Sequence, residues 1–277
     1  MAEFYQINMN KRRNIFFSFS LTFQVILVTT LIYIATLIIS SIYGEEFLIS
    51  NFALTPLNII AGKKLWTLIT SIFLHASFFR LFANMFSLFF VGIFLERIIG
   101  KRRFFLVYIT AGILGGVFFV LSGLIFKTNL PGVGSSGAIF GLLGVLAVLV
   151  PFSRIYLILG PLIVMILQVV FAGVVSESYI PIFNSIMNIL IFIMIFAMFS
   201  FNTNFRKIAL PVELPMWLLP IIAIIPLTIL SFFIFLPIGN SAHFGGLVVG
   251  LIYGFYLRNK YPKKIKYISR VFSNVRN

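Results

Sequence analysis

Gly134-Ser135-Ser136-Gly137 is a small, polar, glycine-flanked break inside apolar sequence, set directly before a helical run. His243 stands in a second apolar run, Ser241-Ala242-His243-Phe244-Gly245-Gly246. A serine hydroxyl becomes a useful nucleophile only when a base removes its proton, and imidazole is the side chain suited to that near neutral pH. The competing structural roles are a small serine that lets helices pack closely and a histidine that hydrogen-bonds between helices. The spacing alone leaves both readings open, and leaves open which of Ser135 and Ser136 would react. Other chemistries are poorly supplied. The chain has no cysteine, which excludes disulfides and thiol catalysis. Its two histidines and six acidic residues are spread along the chain, so neither a metal nor another cofactor is expected.

The elements that must position these residues are membrane helices. The chain is 61% hydrophobic, with a mean hydropathy of +1.12, far from the composition of a soluble domain. A span needs roughly 20 apolar residues. Spans are expected at about 15–42, 68–94, 104–126, 136–150, 155–175, 182–200, 215–236 and 243–257. The first is too long for the core of a cleavable signal and is read as a span. Residues 44–66 mix polar and apolar types and are expected to form a long outer loop, lying in part in the interface. The expected architecture is an all-α polytopic membrane protein, one integral membrane domain over residues 1–277.

Basic residues orient the spans, because cytoplasmic loops carry an excess of Lys and Arg. With the N-terminus inside, Lys11, Arg12, Arg13, Arg97, Lys101, Arg102, Arg103, Arg154, Arg206 and Lys207 fall on the cytoplasmic side, with the basic tail. Only Lys63, Lys64 and Lys127 fall outside, and Arg80 lies within a span. Eight spans with both termini cytoplasmic satisfy this bias. The net charge of +15 is read the same way, and no nucleic-acid partner is expected. The N-terminal segment 1–14 is short and cytoplasmic. The tail 258–277 is expected to be solvated and to touch anionic lipid.

Helix rise then gives depth. Ser136 comes about 27 Å above Arg154, His243 about 22 Å above Arg258, and Asn84 about 20 Å above Arg97. All three fall in the outer half of a hydrocarbon core about 30 Å thick. On a straight helix His75 would be about 33 Å above Arg97, near the outer surface, and is expected to anchor a loop. Leu130-Pro131-Gly132-Val133-Gly134 cannot be helical throughout, and irregular backbone at membrane depth survives only when buried or lining a wet cavity. A pocket opening outward with Ser136 at its floor follows. Ser136 would also start a helix, whose free N–H groups favour an oxyanion.

These residues resemble the rhomboid family of intramembrane serine proteases. Gly-Ser-Ser-Gly is similar to the family's G-x-S-G, with Ser136 at the nucleophile position between Gly134 and Gly137. Ala242 to Gly250 is similar to the histidine-helix motif A-H-x-G-G-x-x-x-G, with His243 at the base position and Gly246 and Gly250 as close-packing positions. Asn84 matches the asparagine of the second span, Glu96 and Gly100 match E-x-x-x-G, and Trp66 matches the tryptophan of the preceding loop. The resemblance covers about 60–258.

The resemblance implies a rhomboid-like helical bundle: a six-span core, with two extra spans between the serine and histidine helices. It implies a serine endopeptidase in the cell membrane that cleaves single-span membrane proteins by a Ser136–His243 dyad. Asn84 would help to stabilise the oxyanion, and Phe140, one turn beyond Ser136, would help to hold the imidazole. Three positions depart from the pattern. Arg80 stands where the family has a second histidine that helps to stabilise the oxyanion; its guanidinium could donate there or pair with lipid phosphate. Thr67 follows Trp66 where many members have arginine, and the extra spans are not part of the common core. The second reading is therefore a catalytically impaired rhomboid-like protein that binds transmembrane segments without cutting them. A transporter is disfavoured, since there is no inverted repeat and no acidic residue within a span. Oligomeric state has no signature in the sequence.

Overall fold

The computed structural model describes residues 20–200, 202–233 and 239–273. The N-terminal basic cluster Lys11 to Arg13 and the end of the tail lie outside these. The chain forms two compact units, Met1–Leu149 with Pro220–Ile268, and Val150–Leu219 with Ser269–Asn277.

In chain order the helices begin with α1 (Leu21–Tyr43), α2 (Glu45–Phe52), α3 (Pro56–Ile60), α4 (Thr67–Phe73), α5 (Phe78–Ile99), α6 (Lys101–Ile125) and α7 (Ser136–Leu149). Then come strand β1 (Arg154–Ile158), α8 (Leu159–Ala172), α9 (Ile180–Ala197), α10 (Thr203–Lys207) and strand β2 (Pro211–Pro215). The chain closes with α11 (Leu219–Phe233), α12 (Asn240–Lys260) and α13 (Pro262–Ser273). Among the described residues four helical segments are long and apolar enough to cross a membrane: Leu21–Tyr43, Phe78–Ile99, Lys101–Ile125 and Glu177–Ala197. Ser136–Leu149 and Leu159–Gln168 are shorter apolar helices.

Three features correct the sequence expectation. The span expected at 68–94 is two helices. The chain breaks at Leu74–Ser77, where Ser77 caps α5 by accepting the Arg80 backbone N–H at 3.3 Å. A serine in extended conformation ahead of an apolar run is a strong helix start, and it outcompetes continuation from α4. Second, residues 44–66 are not simply loop, because α2 and α3 form there; Pro56 at the first position of α3 has no N–H to lose. Third, the fold is not purely helical. β1 and β2 pair antiparallel, with Tyr156 opposite Glu213. Prolines at both ends of β2 disfavour a helix there and suit a short edge strand. Arg154 meets Glu213 at 3.1 Å, an exposed pair worth little.

The core that carries the candidate site is α6, α7 and α12. Nearly every residue of α7 is buried. Close packing there depends on small residues. A Cβ added at Gly246 would run into the Gly137 carbonyl, and one at Gly250 into the Gly141 carbonyl. A Cβ at Gly115 would lie 2.8 Å from the Ala242 carbonyl oxygen. These glycines let the backbones of α6, α7 and α12 approach one another.

α1 is fixed to α5 by one carboxylate. Glu96 accepts from Ser20 Oγ at 2.7 Å, Leu21 N at 3.0 Å, Thr22 N at 2.8 Å and Thr22 Oγ1 at 2.6 Å. It thus satisfies N–H groups that the first turn of α1 would otherwise leave unpaired. Thr22 also fills the space above Gly92, where a Cβ would come within 2.6 Å of its methyl. In the second unit, α8 and α9 pack together and are joined by Gln168 Nε2 donating to Asn184 Oδ1 at 3.0 Å.

Candidate active site

The loop before α7 is pinned on two sides. Leu54 and Gly132 exchange both backbone hydrogen bonds, at 3.0 and 2.8 Å. Gly134 donates its N–H to the Ser71 carbonyl at 2.8 Å and has φ of 130°, a conformation that side-chain-bearing residues rarely adopt. The loop then turns directly into α7, with Ile139 N bonded to the Ser135 carbonyl as the first helical bond. Ser136 is half-buried at the helix start, and Ser135 is fully buried.

His243 is buried in the first turn of α12. Its Nε2 lies 2.8 Å from Ser136 Oγ. With Ser136 as donor, Nε2 accepts and the ring proton sits on Nδ1, which has no partner among the described residues. Phe140 stacks on the imidazole, with centroids 4.5 Å apart and planes 20° apart. The ring is therefore held by a face contact rather than by a carboxylate.

A second histidine lies beside the site. His75 is 7% exposed, and its Nε2 is 2.9 Å from Asn84 Nδ2 and 3.4 Å from Ser135 Oγ. Its Nδ1 lies 3.3 Å from the Phe73 carbonyl. A proton on Nδ1 satisfies that carbonyl and leaves Nε2 to accept from Asn84. The straight-helix estimate placed His75 too high because the chain breaks between α4 and α5 and folds it back. Arg80, by contrast, is exposed on α5. Gly134 lies close to Asn84, whose Nδ2 would be 3.6 Å from a Cβ built there. The structure therefore brings together Ser136, His243, Phe140, Gly134, Asn84 and His75, with Gly137, Gly246 and Gly250 at the contact that makes the approach possible.

Sequence reasoning missed the place of His75. The available signal was Ser77, a capping residue inside an apolar run, which marks a helix start and so a break before it.

The rhomboid domain model matches residues 62–189. This segment of the chain is a rhomboid domain by that match. The rhomboid match contains Trp66, Asn84 and Ser136, while His243 lies beyond its end. Rhomboid relatives agree. YdcA of Bacillus subtilis (strain 168) is 42% identical over 95 residues, 34% of this chain and 46% of that protein. Rhomboid protease GluP of the same organism is 40% identical over 89 residues, 32% of this chain and 17% of that protein. Inactive RHOMBOID-like protein 8 of Arabidopsis thaliana is 41% identical over 83 residues, 30% of this chain and 22% of that protein. The chain thus matches less than half the length of each of these rhomboid relatives; the two from Bacillus subtilis carry the word protease in their names and the one from Arabidopsis thaliana is named inactive. Family membership does not decide activity, which has to be argued from the site.

Proposed function

We infer that the chain is an intramembrane serine endopeptidase acting on single-span membrane proteins. The observation that carries this reading is the 2.8 Å approach of Ser136 Oγ to His243 Nε2, within hydrogen-bond reach for a nucleophile and its base. His243 Nε2 takes the hydroxyl proton as Ser136 Oγ attacks the scissile carbonyl. The imidazolium returns that proton to the leaving amine, and water then hydrolyses the acyl-enzyme by the same route.

The charge that develops on the carbonyl oxygen needs donors. The free N–H groups at the start of α7 supply a positive dipole end. Asn84 carries two amide N–H groups; one is held by His75 and the other is available to the oxyanion. Arg80, at the family's histidine position, is the residue on which the alternative rests. If these donors do not serve the oxyanion, the chain is a rhomboid-like protein that binds transmembrane segments without cutting them.

In this reading α1, α5, α6, α7, α8, α9, α11 and α12 are eight spans, with both termini cytoplasmic and two spans added to a six-span core. The test is cleavage of a single-span substrate co-reconstituted in proteoliposomes. Wild type is expected to cut it and Ser136→Ala and His243→Ala are not. A folded wild type that binds the substrate and leaves it intact supports the non-cleaving alternative.

A further inference from the structure

Within the basic tail, residues 262–273 form a helix. After α12 ends at Lys260, Tyr261 makes the turn and Pro262 opens α13, which runs to Ser273. The hinge is an aromatic–cation cluster. Arg103 at the start of α6 donates from Nη2 to Tyr261 Oη at 2.8 Å and lies over the Tyr261 ring at 4.9 Å. Lys260 Nζ donates to Tyr256 Oη at 2.7 Å. Tyrosines paired with cations suit a membrane–water boundary, where one end of the ring is apolar and the other wet. The turn therefore sits at the membrane face where α6 begins and α12 ends.

α13 divides cleanly by helical spacing. Ile265, Ile268 and Phe272 fall at i, i+3 and i+7, on one face. Lys263, Lys266 and Arg270 fall at the same spacing on the opposite face. The three cations are exposed; along the apolar stripe Ile265 is buried against the protein, Ile268 is half-buried and Phe272 is exposed at 37%. The helix contains no acidic residue. A short helix with an apolar stripe, a basic stripe and a fixed position at the membrane boundary has the makings of an interfacial helix.

We propose that α13 is a docking surface for the anionic face of the bilayer. The outer part of its apolar stripe, Ile268 and Phe272, enters the acyl boundary, while Ile265 holds the helix to the protein, and Lys263, Lys266 and Arg270 lie among anionic lipid headgroups. The charge is complementary to those headgroups, and α12 delivers the helix directly to them. This inference is independent of whether the chain cuts substrates.

The test uses the full chain in nanodiscs, and the absence of native cysteine makes single-site labelling clean. A spin label is placed at Phe272→Cys on the apolar face, and a second at Tyr267→Cys nearer the basic face. Collision with a water-soluble nickel chelate is measured in phosphatidylcholine and in mixed phosphatidylcholine–phosphatidylglycerol membranes. The Phe272 label is expected to be severalfold less accessible than the Tyr267 label in the anionic membrane alone. Salt at about 1 M shortens the screening length to about 3 Å and should restore its accessibility. The triple variant Lys263→Gln, Lys266→Gln, Arg270→Gln keeps side-chain length and should weaken docking about fivefold per cation removed; its line shape reports whether the helix persists. Equal accessibility of the Phe272 label in both membranes overturns the proposal. Equal protection means an apolar contact indifferent to lipid charge, and equal exposure means a face available to some other macromolecule.

Discussion

Asn84 Nδ2 lies 2.9 Å from His75 Nε2, across the break between α4 and α5. The pairing fixes the plane of the Asn84 amide beside the start of α7. Under the proposed function, the pairing supplies an imidazole beside Asn84 although Arg80 stands at the position of the second histidine that the rhomboid resemblance implies. The imidazole beside Asn84 comes from the loop between α4 and α5, not from the α5 helix face.

If His75 orients Asn84, then His75→Ala lowers kcat ten- to hundredfold, the scale expected for a misplaced catalytic group, with KM little changed. His75→Gln retains an acceptor for the Asn84 amide and should recover part of the loss. A variant that merely loosened the fold would not show this split or this rescue. Steady-state cleavage by the three proteins, with circular dichroism as the fold control, decides it.

A neutral His243 is required to accept the Ser136 proton. Protonation of its imidazole removes the base, so activity is present at higher pH and lost as pH falls. One essential group gives a decline in kcat/KM of about tenfold per pH unit on the acid limb. A rate independent of pH through the histidine range contradicts the assignment of His243 as base.

Glu96 caps α1 with four accepted hydrogen bonds. Glu96→Ala leaves those donors unpaired and should cost about 1.5–3 kcal/mol, the range for hydrogen bonds to a charged group. The melting temperature in detergent should fall, while Glu96→Gln, which keeps one acceptor oxygen, falls less. An unchanged melting temperature for Glu96→Ala would remove the cap from the account.

Much of this was legible before the structure, and the failures have physical causes. Helix rise brings Ser136 and His243 to similar levels because each stands near the start of a regular helix, α7 and α12, although α7 ends at Leu149, short of the Arg154 from which the rise was counted. Counting failed for His75 because it assumed an unbroken helix through Leu74–Ser77, where a local cap ends the regular rise. The strand pair at Arg154–Ile158 and Pro211–Pro215 was hidden because its residues continue apolar runs, and short apolar stretches do not separate strand from helix. α13 was missed because its charge density reads as solvated tail, although Lys263, Lys266 and Arg270 recur at the spacing of one helix face. Phe140 was expected to help hold the imidazole from its place one turn beyond Ser136 and from the resemblance; that the contact is a face-to-face stack comes from tertiary packing.

The most direct measurement is the site of reaction with a fluorophosphonate probe, mapped by mass spectrometry on the folded protein. Ser136 Oγ meets His243 Nε2 at 2.8 Å, whereas Ser135 Oγ is buried against His75 at 3.4 Å. The adduct is expected on Ser136, retained in Ser135→Ala and lost in Ser136→Ala and His243→Ala. An adduct on Ser135, or none on the folded wild type, contradicts the Ser136–His243 dyad.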